Sequence, residues 1–326
     1  MRSGSLYYLT SPATKLVARA GPSNLSVRDS TNNVETFLFA SSVGGVMGTI
    51  TNDPLDIKTN NTNAIFIDAS QKVGINETNP GAQLQINTSG VAVIGQIIKA
   101  TASQEVNLTE WQDSDGNIDS KINADRGAMF GAFTDGNYTE FEADGSLKMV
   151  GDATVFKDIN MGAAVLTRPA VSQPDEVNFV DEAGADTGIA SLGFAVGEKV
   201  SGNFEIQHDY KEGTDLVFHI HWQGSVAPSG TDKVKWQLTY TVSQSETTLN
   251  ATTTIVIETD FDTQYEFKAS AFPTITGTNF NIEDQFLFTL ERIAASANEY
   301  SGDAIVATVG IHYEVDTIGS RQVLAK

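Results

Sequence analysis

DSDGNIDSKINADRGAMFGAFTDGNYTEFEADGSLKMVG, residues 113–151, decides the fold. Turn signals recur along it at Asp115-Gly116, Ala124-Asp125-Arg126-Gly127, Asp135-Gly136 and Asp144-Gly145. Asp-Gly and Asn-Gly steps supply the positive φ angles of tight turns. Between them lie short alternating segments such as Tyr138–Glu142 and Ser146–Val150, each with only a few apolar residues. Units this small cannot bury enough surface alone, and short turn–strand repeats therefore stack on neighbours or on other chains. The region reads as part of a β-rich fibre shaft, most economically closed as an intertwined homotrimer.

Composition bounds the rest. The chain has 326 residues, 40% hydrophobic and 19% charged, which suits a folded chain of two or three domains. A net charge of −21 repels phosphate backbones and argues against nucleic acid as a partner. Without cysteine there are no disulfides, thiolate metal sites or cysteine nucleophiles. The opening residues, MRSGSLYYLTSPATKLV, lack the apolar stretch of a signal peptide, and no apolar run is long enough for membrane insertion. Asn-X-Ser/Thr triplets, for example at Asn60 and Asn137, fit turn chemistry in an Asn- and Thr-rich chain.

Residues 1–50 carry apolar groups in short bursts and suit either a base that docks onto a larger assembly or the first shaft strands. In the shaft, 51–151, Leu55–Thr59, Ala64–Asp68, Val73–Ile75 and the start at Leu84 read as strands separated by Asn-rich turns. Residues 91–107 read as strands or a short axial helix. A neck is expected over 152–173. Residues 174–326 read as a jelly-roll-like β-sandwich knob, with strands near Asn203–His208, Asp215–Gln223, Lys233–Ser243, Thr252–Thr259, Gln285–Arg292 and Ala304–Val315. Alternation puts Val234, Trp236, Leu238, Tyr240 and Val242 inward, and likewise Ile305, Ala307, Val309, Ile311, Tyr313 and Val315. The fold class is all-β.

The run from Ile57 to Leu84, with Ile65-Phe66-Ile67-Asp68, Val73-Gly74-Ile75 and Pro80, resembles the shafts of tailed-bacteriophage fibre proteins, departing at Asn76 where those usually have Gly. Residues 108–151 share the cadence more loosely, with Arg126 interrupting one Asp-Gly turn. Tyr210-Lys211-Glu212-Gly213-Thr214-Asp215-Leu216 followed by His219-Ile220-His221-Trp222 is similar to C-terminal domains of phage virion proteins. The resemblance implies a structural, non-enzymatic homotrimer on the virion surface, made in the bacterial cytoplasm. Its N-terminal segment would join other virion proteins, and its tip would attach to a host surface glycan. A head fibre or capsid decoration without a receptor, and a glycan-degrading tail spike, stay open beside it.

Few residues suggest chemistry. His219 and His221 lie two apart on a strand and project from one face; His312 lies on the polar side of another. Such imidazoles can chelate a transition metal, whereas the plainer reading is a His pair bonding across the sheet or packing at a subunit boundary. No metal or cofactor is therefore expected. The run Asp113–Asp119 fails the EF-hand spacing. Glu140 with Glu142, and Asp260 with Asp262, are acidic pairs without the flanking arrangement a glycosidase needs. Receptor contact is expected from loops 224–232 and 243–251, through Ser225, Ser229, Thr231, Gln244, Ser245 and Asn250.

Overall fold

The computed structural model describes residues 14–19, 24–41, 44–125, 127–244 and 246–326. They form two units, Met1–Lys99 and Ala100–Lys326. The first unit begins with an antiparallel meander of β1 (Thr14–Arg19), β2 (Asn24–Asp29), β3 (Val34–Ser41) and β4 (Gly44–Thr49). A second sheet follows, in the order β5 (Leu55–Thr59), β6 (Thr62–Ile67), β7 (Val73–Ile75) and β8 (Leu84–Ile86), with β7 and β8 parallel. Asn60 and Asn61 both take positive φ, 47° and 57°, so the β5–β6 connection is a two-residue turn whose twist matches the strands. Asn76 also sits at φ 53° and adopts the left-handed conformation glycine would otherwise supply.

Register places Leu55, Ile57, Ile65, Ile67, Val73, Ile75, Leu84 and Ile86 on one face of this sheet. None of them is buried, and Leu84 is 55% exposed. Residues 91–107 form neither the strands nor the helix expected, because no strand lies beside them to complete a ladder; Ile94 and Ile97 point into solvent.

The second unit opens with the turn-rich stretch, a meander of β9 (Thr109–Gln112), β10 (Ile118–Ile122), β11 (Ala128–Ala132), β12 (Asn137–Phe141) and β13 (Leu147–Val150). The Asp-Gly steps turn as expected, with Gly116, Gly136 and Gly145 at positive φ. One face of this sheet carries Trp111, Phe130, Phe141 and Met149. Trp111, Phe130 and Phe141 are about half exposed, while Met149 packs on the knob and donates its backbone N–H to Asp316 O at 2.6 Å. Apart from Pro80 and Met129, no apolar side chain described before Gly151 is buried.

Beyond Gly151 the chain closes on itself. It continues through β14 (Val155–Gly162), β15 (Asp175–Val180), β16 (Asp186–Phe194), β17 (Lys199–Glu205), β18 (Val217–Gly224), β19 (Asp232–Ser243), β20 (Thr253–Phe261), β21 (Phe267–Ala271), β22 (Gln285–Ile293) and β23 (Ala304–Val315). One sheet runs β15-β16-β23-β18-β21, the other β17-β22-β19-β20. Counting β16 to β23 as 1 to 8, the orders 1-8-3-6 and 2-7-4-5 are those of a jelly roll. The core between the sheets is aromatic: Phe218 meets Phe288 edge-on at 5.1 Å, and Phe194 meets Trp236 at 5.3 Å.

Two expectations are corrected here. The neck at 152–173 is part of the knob, because β14 pairs with β23 over its whole length and turns Ile159 and Met161 towards the core. The uniform alternation expected for Ala304–Val315 breaks at Ala307: His221 faces Thr308 but Trp222 faces Val306. This bulge inverts the phase, so Ala304 and Val306 join the core cluster in place of Ile305 and Ala307.

Arg292 closes one end of the sandwich. It is 1% exposed and donates to the carbonyls of Phe194, Gly302 and Tyr300 and to Glu299. Removing a buried charge that satisfies several acceptors strands all of them. Arg292→Ala is expected to cost about 3 kcal/mol or more, read as a lowered urea midpoint for the knob's near-ultraviolet signal.

Candidate functional site

Three neighbouring strands bring a polar cluster together on the outer face of the β14-β23-β18 sheet. Asp158 on β14 lies opposite His312 on β23, which lies opposite Val217 on β18. One row along, Asn160, Gly310 and His219 align. Gly310 has no side chain, so Asp158 and His219 lean over it towards each other. A Cβ built there would meet the His219 ring at 2.7 Å and Asp158 Oδ1 at 2.8 Å. The His312 ring stacks on that of His219, with centroids 4.2 Å apart and planes at 18°.

His219 is 3% exposed, and neither ring nitrogen makes a hydrogen bond of good geometry, the Val217 backbone offering only a weak contact. Its Nε2 lies 3.5 Å from Asp158 Oδ2, outside good hydrogen-bond geometry. An unmatched buried polar group of this kind costs on the order of 1–3 kcal/mol. Burial pushes the imidazole below the ordinary histidine range; Asp158 opposes this, and His312 and His221 add to it. Donor atoms of Asp158, His219 and His312 all lie within 4.8 Å of one another. Of the three histidines singled out by spacing, His219 and His312 come together and Asp158 joins them, while the His221 ring turns edge-on to His219 and stacks on Phe267 at 6.2 Å. Asp158 was invisible to sequence reasoning, since only strand pairing across more than 150 residues brings it beside His312.

A second constellation had no sequence signal either. His208 bridges Ser320 through Nδ1 and Glu283 through Nε2. The order of groups is that of a charge-relay triad, but Ser320 Oγ donates to Gln322 O, so its proton is already engaged. The acidic pairs are also committed elsewhere: Glu142 accepts from Ser146 Oγ, Asp260 pairs with Lys233 at 3.3 Å, and Asp262 lies 4.0 Å from Lys268.

The expected receptor-contact residues do not form one site. Loops 224–232 and 243–251 lie at opposite ends of β19, whose 12 residues span about 36 Å. Gln244 reaches Asn279 O, and Asn250 donates to Val242 O, at the end that meets the β9–β13 sheet. Ser245 lies outside the described residues. At the other end Ser225 Oγ accepts from Asp303 N, Ser229 donates to Asp232 through both N and Oγ, and Thr231 O accepts from Asn298. These bonds hold their loops in shape, and Ser229, Thr231, Gln244 and Asn250 stay exposed. Neither loop contains an aromatic residue.

An aromatic platform does occur near that far end, on the edge strand β21. Phe267 is 53% exposed, packs at 6.1 Å from Phe179 and stacks on His221. Gln223 underneath it donates to Val180 O and Tyr265 O and accepts from Val180 N, which fixes the strands beneath the rings.

The chain matches no protein-family model and no curated protein. Among solved structures it is similar to the CBM35 module of Abf62 from Cellvibrio japonicus, at 11% identity and TM-score 0.28, over 48% of this chain and 92% of that one. It is similar also to TmCBM61, solved with β-1,4-galactotriose, at 11% identity and TM-score 0.22, over 49% and 88%. TM-scores this low leave the fold to be argued from the chain's own strands and the ligand from its own side chains.

Gly310→Ala is expected to lower stability by about 1–3 kcal/mol through overpacking against His219 and Asp158. The double variant with His219→Ala should recover part of that loss, as a double-mutant cycle of thermal melts would show.

Proposed function

We propose that the chain is the structural subunit of a trimeric fibre on a tailed-phage particle. Residues 51–151 form the shaft, and the jelly roll is its tip. The observation that carries this is the contrast in burial. The jelly roll is closed, whereas of the eight aliphatic side chains on one face of β5–β8 none is buried: six are half-buried and Ile75 and Leu84 are exposed. Covering that face would contribute on the order of 10 kcal/mol per chain. Other copies are the natural cover, because every copy brings the same unsatisfied face, and a rotational arrangement satisfies all of them at once. The charge of −21 keeps the outer surface of such an assembly soluble.

At the tip, a surface glycan is the ligand that suits the side chains. Pyranose rings stack on exposed aromatic faces, and Phe267 offers one on a rigid strand edge, away from the end that meets the β9–β13 sheet. Several tips held at fixed spacing multiply weak contacts. Work of this kind is adhesive and mechanical and calls for no catalysis.

Two outcomes test this reading. Ile75→Asp with Leu84→Asp places charge in the proposed interface and should split the assembly into single chains that keep a folded tip, as size-exclusion chromatography with light scattering would report. Phe267→Ala should reduce adsorption to host cells or glycan-array binding at least tenfold without changing assembly. Unchanged adsorption would remove the platform from the account.

A further inference from the structure

The cluster over Gly310 has a feature that hydrogen bonding within the chain does not explain. His219 is almost wholly buried, neither nitrogen makes a well-formed hydrogen bond beyond a weak contact with the Val217 backbone, and its ring faces a carboxylate and a second imidazole. Three donors come from three adjacent strands; the bare Gly310 lets the His219 ring and Asp158 pack over its backbone, and the exposed His312 ring, now stacked on His219, can turn to share an ion with it. Two imidazole nitrogens and one carboxylate oxygen within 4.8 Å of one another form a borderline-soft set that suits Zn²⁺ and neighbouring divalent transition metals better than Ca²⁺ or Mg²⁺.

We propose that Asp158, His219 and His312 bind one divalent transition ion per chain, Zn²⁺ by donor chemistry, and that the ion staples β14 to the jelly roll. The remaining coordination position faces outward, where Asp158 and His312 are exposed, and takes a water. Asn160 Nδ2, 3.4 Å from Asp158 Oδ2, steadies the carboxylate from the next outward position on β14. The staple has a mechanical place in the fold. β14 leads from the β9–β13 sheet into the knob and hydrogen-bonds to β23 on one side, so an ion tying it to both β23 and β18 resists peeling at the point where a pull on the sheet enters the sandwich. The site is intrachain and does not depend on how many copies assemble.

The test uses the full chain stripped with chelator and titrated with Zn²⁺ by calorimetry, and with Co²⁺ by visible absorption. The expected result is one ion per chain, a micromolar or tighter dissociation constant, a tetrahedral Co²⁺ spectrum and a raised melting temperature. Asp158→Asn and His312→Ala alter exposed positions, so both should fold; each should weaken binding at least tenfold and abolish the thermal shift. His208→Ala, away from the cluster, should leave binding unchanged. No binding below millimolar Zn²⁺, one ion per three chains, or equal affinity in Asp158→Asn and His312→Ala would each overturn the proposal.

Discussion

Eight aliphatic side chains on one face of the β5–β8 sheet, none of them buried, set the terms for the rest of the molecule. A sheet is stable when at least one face is packed against something apolar. The jelly roll meets that condition by folding two sheets face to face. The β5–β8 sheet of the first unit does not meet it by itself, and the β9–β13 sheet meets it only at its edge, where Met149 touches the knob. The chain thus pairs one self-sufficient domain with sheets that do not bury their own apolar faces.

The knob also shows how an outer sheet face becomes specialised. Most outward positions on β19 hold half-exposed Lys, Gln and Thr. On β14, β23 and β18 the same phase collects Asp158, His312 and His219 around Gly310, and further along it places His221 beside Phe267. Both groupings exist because the strands are held in register by the core beneath, with Phe218, Ile220, Val309 and Ile311 buried completely. Packing fixes the backbone, and the backbone then sets which polar groups meet.

Local chemistry was legible in the sequence, and distant pairing was not. The strands at Leu55–Thr59, Val73–Ile75 and Leu84–Ile86 were readable because Asn and Gly turns lie immediately beside them, and the Asn60-Asn61 turn needs only two residues to specify it. The jelly roll was readable from six long alternating strands. Strand β14 was hidden because its inward Ile159 and Met161 are interrupted by Lys157, Asp158 and Asn160, and its partner lies at the far end of the chain. The bulge at Ala307 has no marker in composition, so a strand with clean alternation on paper changes phase in space. The separation of the two expected contact loops was available in principle, since the two ends of a 12-residue strand cannot share one site. Asp158 and the Ser320–His208–Glu283 contact depended on tertiary pairing alone.

The most direct measurement is sedimentation equilibrium of the unmodified chain over a wide concentration range, combined with amide hydrogen exchange across Leu55–Ile86. The account predicts a mass of three chains and slow exchange in β5–β8 that quickens when the assembly is diluted apart. A single-chain mass with the same amides equally protected at every dilution would contradict it.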